Sequence, residues 1–138
     1  MYDGENIIAE ISGGDTTVYL RDNVGIISRT KGNAKEYFVS NYRGDTTAVV
    51  NANSDILKSY EYDAFGNMKN AASADDNPFR YCGEYFDDET GFVYLRNRYY
   101  DPSIGRFTTE DPAKSGLNWY AYCENNQVKY IDPWGLDA

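Results

Sequence analysis

Histidine is missing from all 138 residues. That absence removes Ser-His-Asp and Cys-His nucleophile systems, HExxH metal sites and imidazole proton shuttles. Catalysis, where there is any, must run on carboxylates, arginine, lysine, tyrosine, hydroxyls or thiols. Cysteine is scarce. Cys82 and Cys123 have no CxxC spacing and read more readily as two free thiols than as a disulfide. Basic residues are outnumbered, 13 Lys and Arg against 22 Asp and Glu, for a formal net charge of −9 with no basic cluster. Phosphate backbones and anionic bilayers would be repelled, so neither nucleic acid nor a membrane surface is an expected partner. No apolar run approaches bilayer-spanning length. Met1-Tyr2-Asp3-Gly4 lacks the basic start and apolar stretch of a signal peptide, so any export address lies outside this chain. No motif calls for a cofactor or a metal.

Aromatic residues are abundant: 14 tyrosines, 6 phenylalanines and 2 tryptophans. Such side chains favour pleated, half-buried surfaces, and tyrosine suits a sheet with one wet face. Short alternating runs at 17–21, 25–30, 36–42, 46–50 and 56–62 are separated by turn residues such as Arg21-Asp22-Asn23, Lys31-Gly32-Asn33 and Asn51-Ala52-Asn53-Ser54-Asp55. That pattern predicts a run of β-hairpins. Gly14-Asp15-Thr16-Thr17 recurs as Gly44-Asp45-Thr46-Thr47, and Tyr2-Asp3-Gly4 is echoed by Tyr62-Asp63-Ala64-Phe65-Gly66. Repeats of this size imply one supersecondary unit stacked on the next. The polar stretch 70–76 predicts a connection, which divides the chain into hairpins at 1–70, a connection at 71–78 and a second segment at 79–138. In that second segment, Asp87-Asp88-Glu89-Thr90-Gly91 leading into Phe92–Tyr100 is a further hairpin signal. Helix is expected only as a turn or two within 117–129.

All four prolines follow Asp or Asn, at Asn77, Asp101, Asp111 and Asp132. Residues before proline are extended, and their side chains accept nearby backbone N–H groups to fix turns. Asp101 is assigned that role. Asp111 and Asp132 admit a second one. Arg43-Gly44-Asp45 reads as a turn rather than an adhesion tripeptide. The acidic turn at 87–89 lacks the EF-hand pattern and reads as solvated. The aromatic rows suit packing within the sheet better than sugar stacking.

The segments FRYCGEYFDDETGFVYLRNRYYDPSIGRFTTEDP and NWYAYCENNQVKYIDPWGL resemble the core at the C-terminal end of RHS/YD-repeat proteins, among them bacterial Rhs effectors and Tc toxin C components. RYYDPSIGRF and YIDPWGL carry most of the resemblance, and NYRGDTTAVVNANSDILKSYEYDAFGN resembles the preceding repeats. The resemblance implies a mainly β fold: successive antiparallel hairpins forming a curved sheet, with a plug-like C-terminal end and little helix. It implies as partners the remainder of a hollow shell and a C-terminal toxin cargo, in a bacterial protein that is exported or displayed.

The resemblance further implies an intramolecular aspartyl autoprotease that cuts after the leucine of a DPxGL motif. Residue by residue, the arginine of the family falls on Arg98, its two catalytic aspartates on Asp111 and Asp132, and the cleaved bond on Leu136–Asp137. Pro133, Trp134 and Gly135 would anchor the turn before it. One departure stands out. Relatives read DPIGLAGG after the first aspartate, whereas this chain reads DPAKSGLN, and the interval to Asp132 is shorter. The alternative is a non-catalytic module that packs, self-associates through edge strands or binds carbohydrate.

Overall fold

The computed structural model describes residues 1–4, 6–23, 25–70, 75–114 and 116–136. Threonine, valine, isoleucine and tyrosine alternate with polar residues along the first half, and strands form on those runs. A short pair, β1 (Tyr2–Asp3) and β2 (Asn6–Ile7), precedes β3 (Ala9–Ser12), β4 (Asp15–Arg21), β5 (Ile26–Lys31), β6 (Ala34–Ser40), β7 (Thr46–Asn51) and β8 (Ile56–Ser59). Strands β3 to β8 pair in sequence order as one six-stranded antiparallel meander. The second half adds β9 (Tyr85–Asp87), β10 (Phe92–Leu95), β11 (Arg98–Asp101) and β12 (Arg106–Phe107) in a four-stranded meander. The only helical elements among the described residues are 3-10 turns at Tyr81–Gly83 and Cys123–Asn125. The fold is therefore the antiparallel hairpin architecture that the sequence pattern implies, with four elements it did not mark: β1, β2, β3 and β12.

Register gives the six-stranded sheet two unlike faces. Tyr19 pairs with Arg29 and Arg29 with Glu36, while Phe38 pairs with Val49 and Val49 with Lys58. This is the inner face, with Tyr19, Arg29 and Val49 buried. A one-residue step turns the side chains over. Leu20, Ser28, Tyr37, Val50 and Ile56 form the adjoining cross-strand row, and Leu20, Tyr37 and Ile56 of it are exposed.

Three turns in this half share one device. Asn41 Oδ1 accepts the N–H groups of Arg43 and Asp45, and Asn41 Nδ2 donates to the Asp45 carboxylate. Asn51 does the same with Asn53 and Asp55, and Asp63 with Phe65 and Asn67, donor and acceptor exchanged in the closing pair. The fourth residue of each turn is left-handed: Gly44 at φ +86°, Ser54 at +67° and Gly66 at +93°. A side chain thus closes each five-residue loop from within. The RGD tripeptide falls in the first of these turns, and its Asp45 is buried, accepting the Cys82 N–H at 2.8 Å.

The two sheets join through aromatic packing. Tyr19 meets Phe79 edge-on at 4.7 Å, and Phe79 meets Tyr85 at 5.7 Å. A second cluster unites Tyr81, Val93, Leu95, Tyr100, Phe107, Tyr122 and Cys123. Gly66 is seated on it so closely that a Cβ would lie 2.6 Å from the Tyr81 ring. Burial pushes the Tyr100 and Tyr122 phenols upward, so both stay neutral. Asp75 and Asp76 tie the start of the second half back to the meander through Lys58 and Arg29. The rest of the connection, 71–74, lies outside the described residues. Cys82 and Cys123 are not joined in a disulfide.

Candidate functional site

Strand β11 begins at Arg98, and its alternation sends Arg98 and Tyr100 inward while Tyr99 faces out. The Arg98 guanidinium lies 3.5 Å from the Phe107 ring centroid, which fills the space a water shell would occupy. Asp111 and Asp132 come from Asp-Pro turns in separate segments. Relative exposures of 2%, 1% and 2% make Arg98, Asp111 and Asp132 among the most buried charged groups of the molecule. Buried ionic groups of this kind must be paired.

Their partners connect them. Arg98 Nη2 lies 3.8 Å from Asp132 Oδ2, an ion pair with both side chains out of solvent. Arg98 Nη1 donates to the Trp119 carbonyl at 3.1 Å, and the Asp111 N–H donates to the same carbonyl at 2.8 Å. Asp111 therefore joins the arginine through one shared backbone oxygen. Arg98 Nε donates to the Gly135 carbonyl at 2.5 Å, so the fork reaches the residue immediately before Leu136. Each aspartate also closes its own turn: Asp111 Oδ1 accepts the Ala113 N–H at 2.9 Å, and Asp132 Oδ1 accepts the Trp134 N–H at 3.2 Å.

The structure thus gathers Arg98, Asp111, Asp132 and Gly135 on one hydrogen-bond network. Pro133 and Trp134 face the turn between β10 and β11: Arg96 donates to the Pro133 carbonyl, and its guanidinium lies 5.2 Å from the Trp134 ring. Leu136 is partly exposed, at 40%. Asp137, on the far side of the bond singled out in the sequence, lies outside the described residues. Four participants were not marked by sequence reasoning: Phe107, Trp119, Arg96 and Asn97. Trp119 acts through its carbonyl, which no residue type signals. Arg96-Asn97 sits between two apolar runs, where a two-residue hairpin loop was legible but its ligands were not.

A cleft of about 750 Å³ opens between the inner face of the meander and this end of the chain. Among its lining residues are Arg21, Arg43, Glu84, Arg96 and Trp134. Burial raises the Glu84 carboxyl above its ordinary value, opposed by the Arg96 and Arg21 charges. Among the described residues no group of three acidic or thiol side chains is placed to hold a metal ion. Nor is any helix among them long and apolar enough to cross a membrane.

Strand order, turn chemistry and the buried end of the chain define an RHS/YD-type shell segment, and comparison places it in a family. Residues 8–128 match the teneurin YD-shell, and the chain belongs to that family. It is 36% identical to the tRNA3(Ser)-specific nuclease WapA of Bacillus spizizenii over 97% of this chain, and 46% identical to the double-stranded DNA deaminase toxin A of Burkholderia cenocepacia over 47% of it. The chain spans about 6% and 5% of those two proteins. Among solved structures it is similar to TcdB2-TccC3 without its hypervariable C-terminal region, with a TM-score of 0.77 and 26% identity, covering 88% of this chain and 6% of that one.

Proposed function

We propose that this chain is the closing segment of a toxin-carrying shell and that it severs its own backbone after Leu136. The observation that carries the proposal is the burial of Arg98, Asp111 and Asp132, drawn from three separate segments, on one network that includes the Gly135 carbonyl. The relatives named as a nuclease and a deaminase toxin support a cargo following such a segment.

The chemistry is hydrolysis on two carboxylates. One aspartate, ionised, takes a proton from water as the water oxygen bonds to the Leu136 carbonyl carbon. The other, protonated, hydrogen-bonds the carbonyl oxygen and gives its proton to the leaving nitrogen. The C–N bond breaks, leaving a carboxyl on Leu136 and an amine on Asp137. Arg98 holds the peptide by the Gly135 carbonyl and offsets negative charge developing beside it. The substrate is part of the same chain, so orientation replaces binding.

The test is a chain extended past residue 138 by a reporter and read by intact mass. A cut after Leu136 is the expected result, blocked by Asp111→Asn, Asp132→Asn and Arg98→Ala. An unmodified extended chain that stays whole from mildly acidic to neutral pH overturns the proposal, as do variants that are cut normally. A second reading rests on the turn-closing bonds that both aspartates make: the carboxylates would be purely structural. Asparagine keeps the Oδ1 acceptor that closes each turn and removes only the ionisable oxygen. Under that second reading the asparagine variants fold and change nothing else.

A further inference from the structure

Three consecutive carbonyls before Leu136 are held by three consecutive residues of the β10–β11 hairpin. The Pro133 carbonyl accepts from Arg96 Nη1. The Trp134 carbonyl accepts from Asn97 twice, from Nδ2 at 2.9 Å and from the backbone N–H at 3.4 Å. The Gly135 carbonyl accepts from Arg98 Nε at 2.5 Å. Clamp and tail advance in step, one residue against one.

The fit at Gly135 is tighter still. A Cβ there would lie 2.5 Å from the Leu95 carbonyl oxygen and 3.0 Å from the Arg98 nitrogen, and its φ of +62° disfavours any other residue. Arg96 is itself left-handed at φ +60°, a conformation that a non-glycine residue adopts at a cost of order 1–3 kcal/mol. Its side chain is fixed by Glu84 Oε1 at 2.9 Å and Asn6 Oδ1 at 2.9 Å. Those bonds orient the guanidinium toward Pro133 and Trp134. The Arg96 backbone is thus strained at the one position where a side chain anchored in two segments must reach the tail.

We propose that Arg96 and Asn97, continued by Arg98, form a carbonyl-reading clamp that positions the acyl side of the Leu136–Asp137 bond and keeps it docked after that bond is broken. The clamp is a feature of this chain by itself, and its consequence for cutting rests on the self-cleavage proposed above. Its hydrogen bonds go only to main-chain oxygens at 133–135, with the Arg96 guanidinium also 5.2 Å from the Trp134 ring, so Gly135 is the residue it can least exchange. Every contact lies on the acyl side of the bond and survives hydrolysis. Whatever leaves does so from the amine side, and the new Leu136 carboxyl stays held. Arg96 and Asn97 are positioning residues: neither touches the reacting atoms.

The test is hydrogen exchange by mass spectrometry on the extended chain, held whole by Asp111→Asn, alongside cutting rates with Asp111 intact. Arg96→Gly relieves the left-handed backbone while removing the clamp, and Asn97→Ala alters an exposed residue, so both keep the hairpin. Each is expected to raise exchange in a peptide spanning 131–136 about tenfold, with β10 and β11 unchanged. Each should slow cutting by about 10- to 100-fold. Trp134→Leu, which removes the ring beside the Arg96 guanidinium but no main-chain oxygen, should shift both readouts less than either clamp variant. Unchanged exchange and unchanged cutting in both clamp variants overturn the proposal. So does loss of protection throughout β10 and β11 in Asn97→Ala, which would make the residue structural. If the unmodified extended chain stays whole while both variants loosen the tail, the clamp stands and self-cleavage falls.

Discussion

The six-stranded meander buries one face and leaves a row of apolar side chains on the other in solvent, whereas the C-terminal half gathers aromatic and charged side chains into one buried cluster. Ile11, Val18, Leu20, Val39 and Ile56 are exposed on the first sheet, and Asn41 and Asn51 close its five-residue loops from within. In the second half Tyr81, Tyr100, Phe107 and Tyr122 pack together, and Arg98, Asp111 and Asp132 are buried beside them. A repeat that stacks on neighbours can leave one face and both edges uncovered in isolation. The difference teaches that the first half is specified by its turns and inner row, the second by one buried network of charges.

The largest effect expected from breaking this contrast is on cutting. Asp111→Asn or Asp132→Asn should slow release of a C-terminal reporter by about 10²–10⁴-fold, and Asp132→Asn, which removes the ion-pair partner of buried Arg98, should also lower the melting temperature. Removing Glu36, whose carboxylate faces Arg29 in the meander at 2.6 Å, should leave cutting intact. Next comes Gly66→Ala, which forces a methyl into the Tyr81 ring and should cost about 2–4 kcal/mol in chemical denaturation. Gly32→Ala shares a left-handed φ of +58° but meets nothing within 4 Å, and should cost only about 1 kcal/mol. The difference between the two isolates packing from backbone strain.

A smaller effect concerns acid. Asp76 is partly buried, which alone would raise its carboxyl, but hydrogen bonds and charges from Lys58 and Arg29 hold it well below its ordinary value of 3.8. Asp75 and Asp63 are lowered too, against burial, by the Lys58 ammonium and by turn N–H groups respectively. A depressed folded value means the stabilisation is full above the unfolded value and is lost as pH falls through the folded one. Melting temperature should therefore drop as pH falls below about 4, and Asp76→Asn should flatten that drop. Glu84 acts oppositely: its raised carboxyl favours the folded state at low pH and weighs against it as pH rises. Glu84→Gln should remove that rise-dependent loss. Smallest is Ser54→Gly, which relieves the left-handed φ of +67° and should add about 0.5–1 kcal/mol.

Much of this was legible in the residues. The hairpins of the first half follow from alternation and from Asn, Asp and Gly at the turns, and β4 to β8 begin and end within a few residues of the runs that mark them. Arg98, Asp111 and Asp132 were singled out through the motifs around them. Phe79–Phe86 shows where local pattern was insufficient. It is apolar enough for a strand, yet Cys82 turns left-handed at φ +53° in a 3-10 turn because Asp45 takes its N–H. Strands β1 to β3 went unmarked because their alternation is short and weak, and pairing with β4 stabilises β3.

What the sequence by itself determined is everything whose cause lies within about five residues: alternation that selects strands, side chains that close loops, and a glycine where φ must be positive. The shared Trp119 carbonyl, the ion pair of Arg98 with Asp132 and the three carbonyls held by Arg96, Asn97 and Arg98 were decided only by tertiary structure. The partners of Arg96, Asn97 and Arg98 lie 21 to 37 residues away, and a main-chain oxygen carries no residue identity to read. Packing of the aromatic core brings those segments together, and burial then obliges each charge to find a partner.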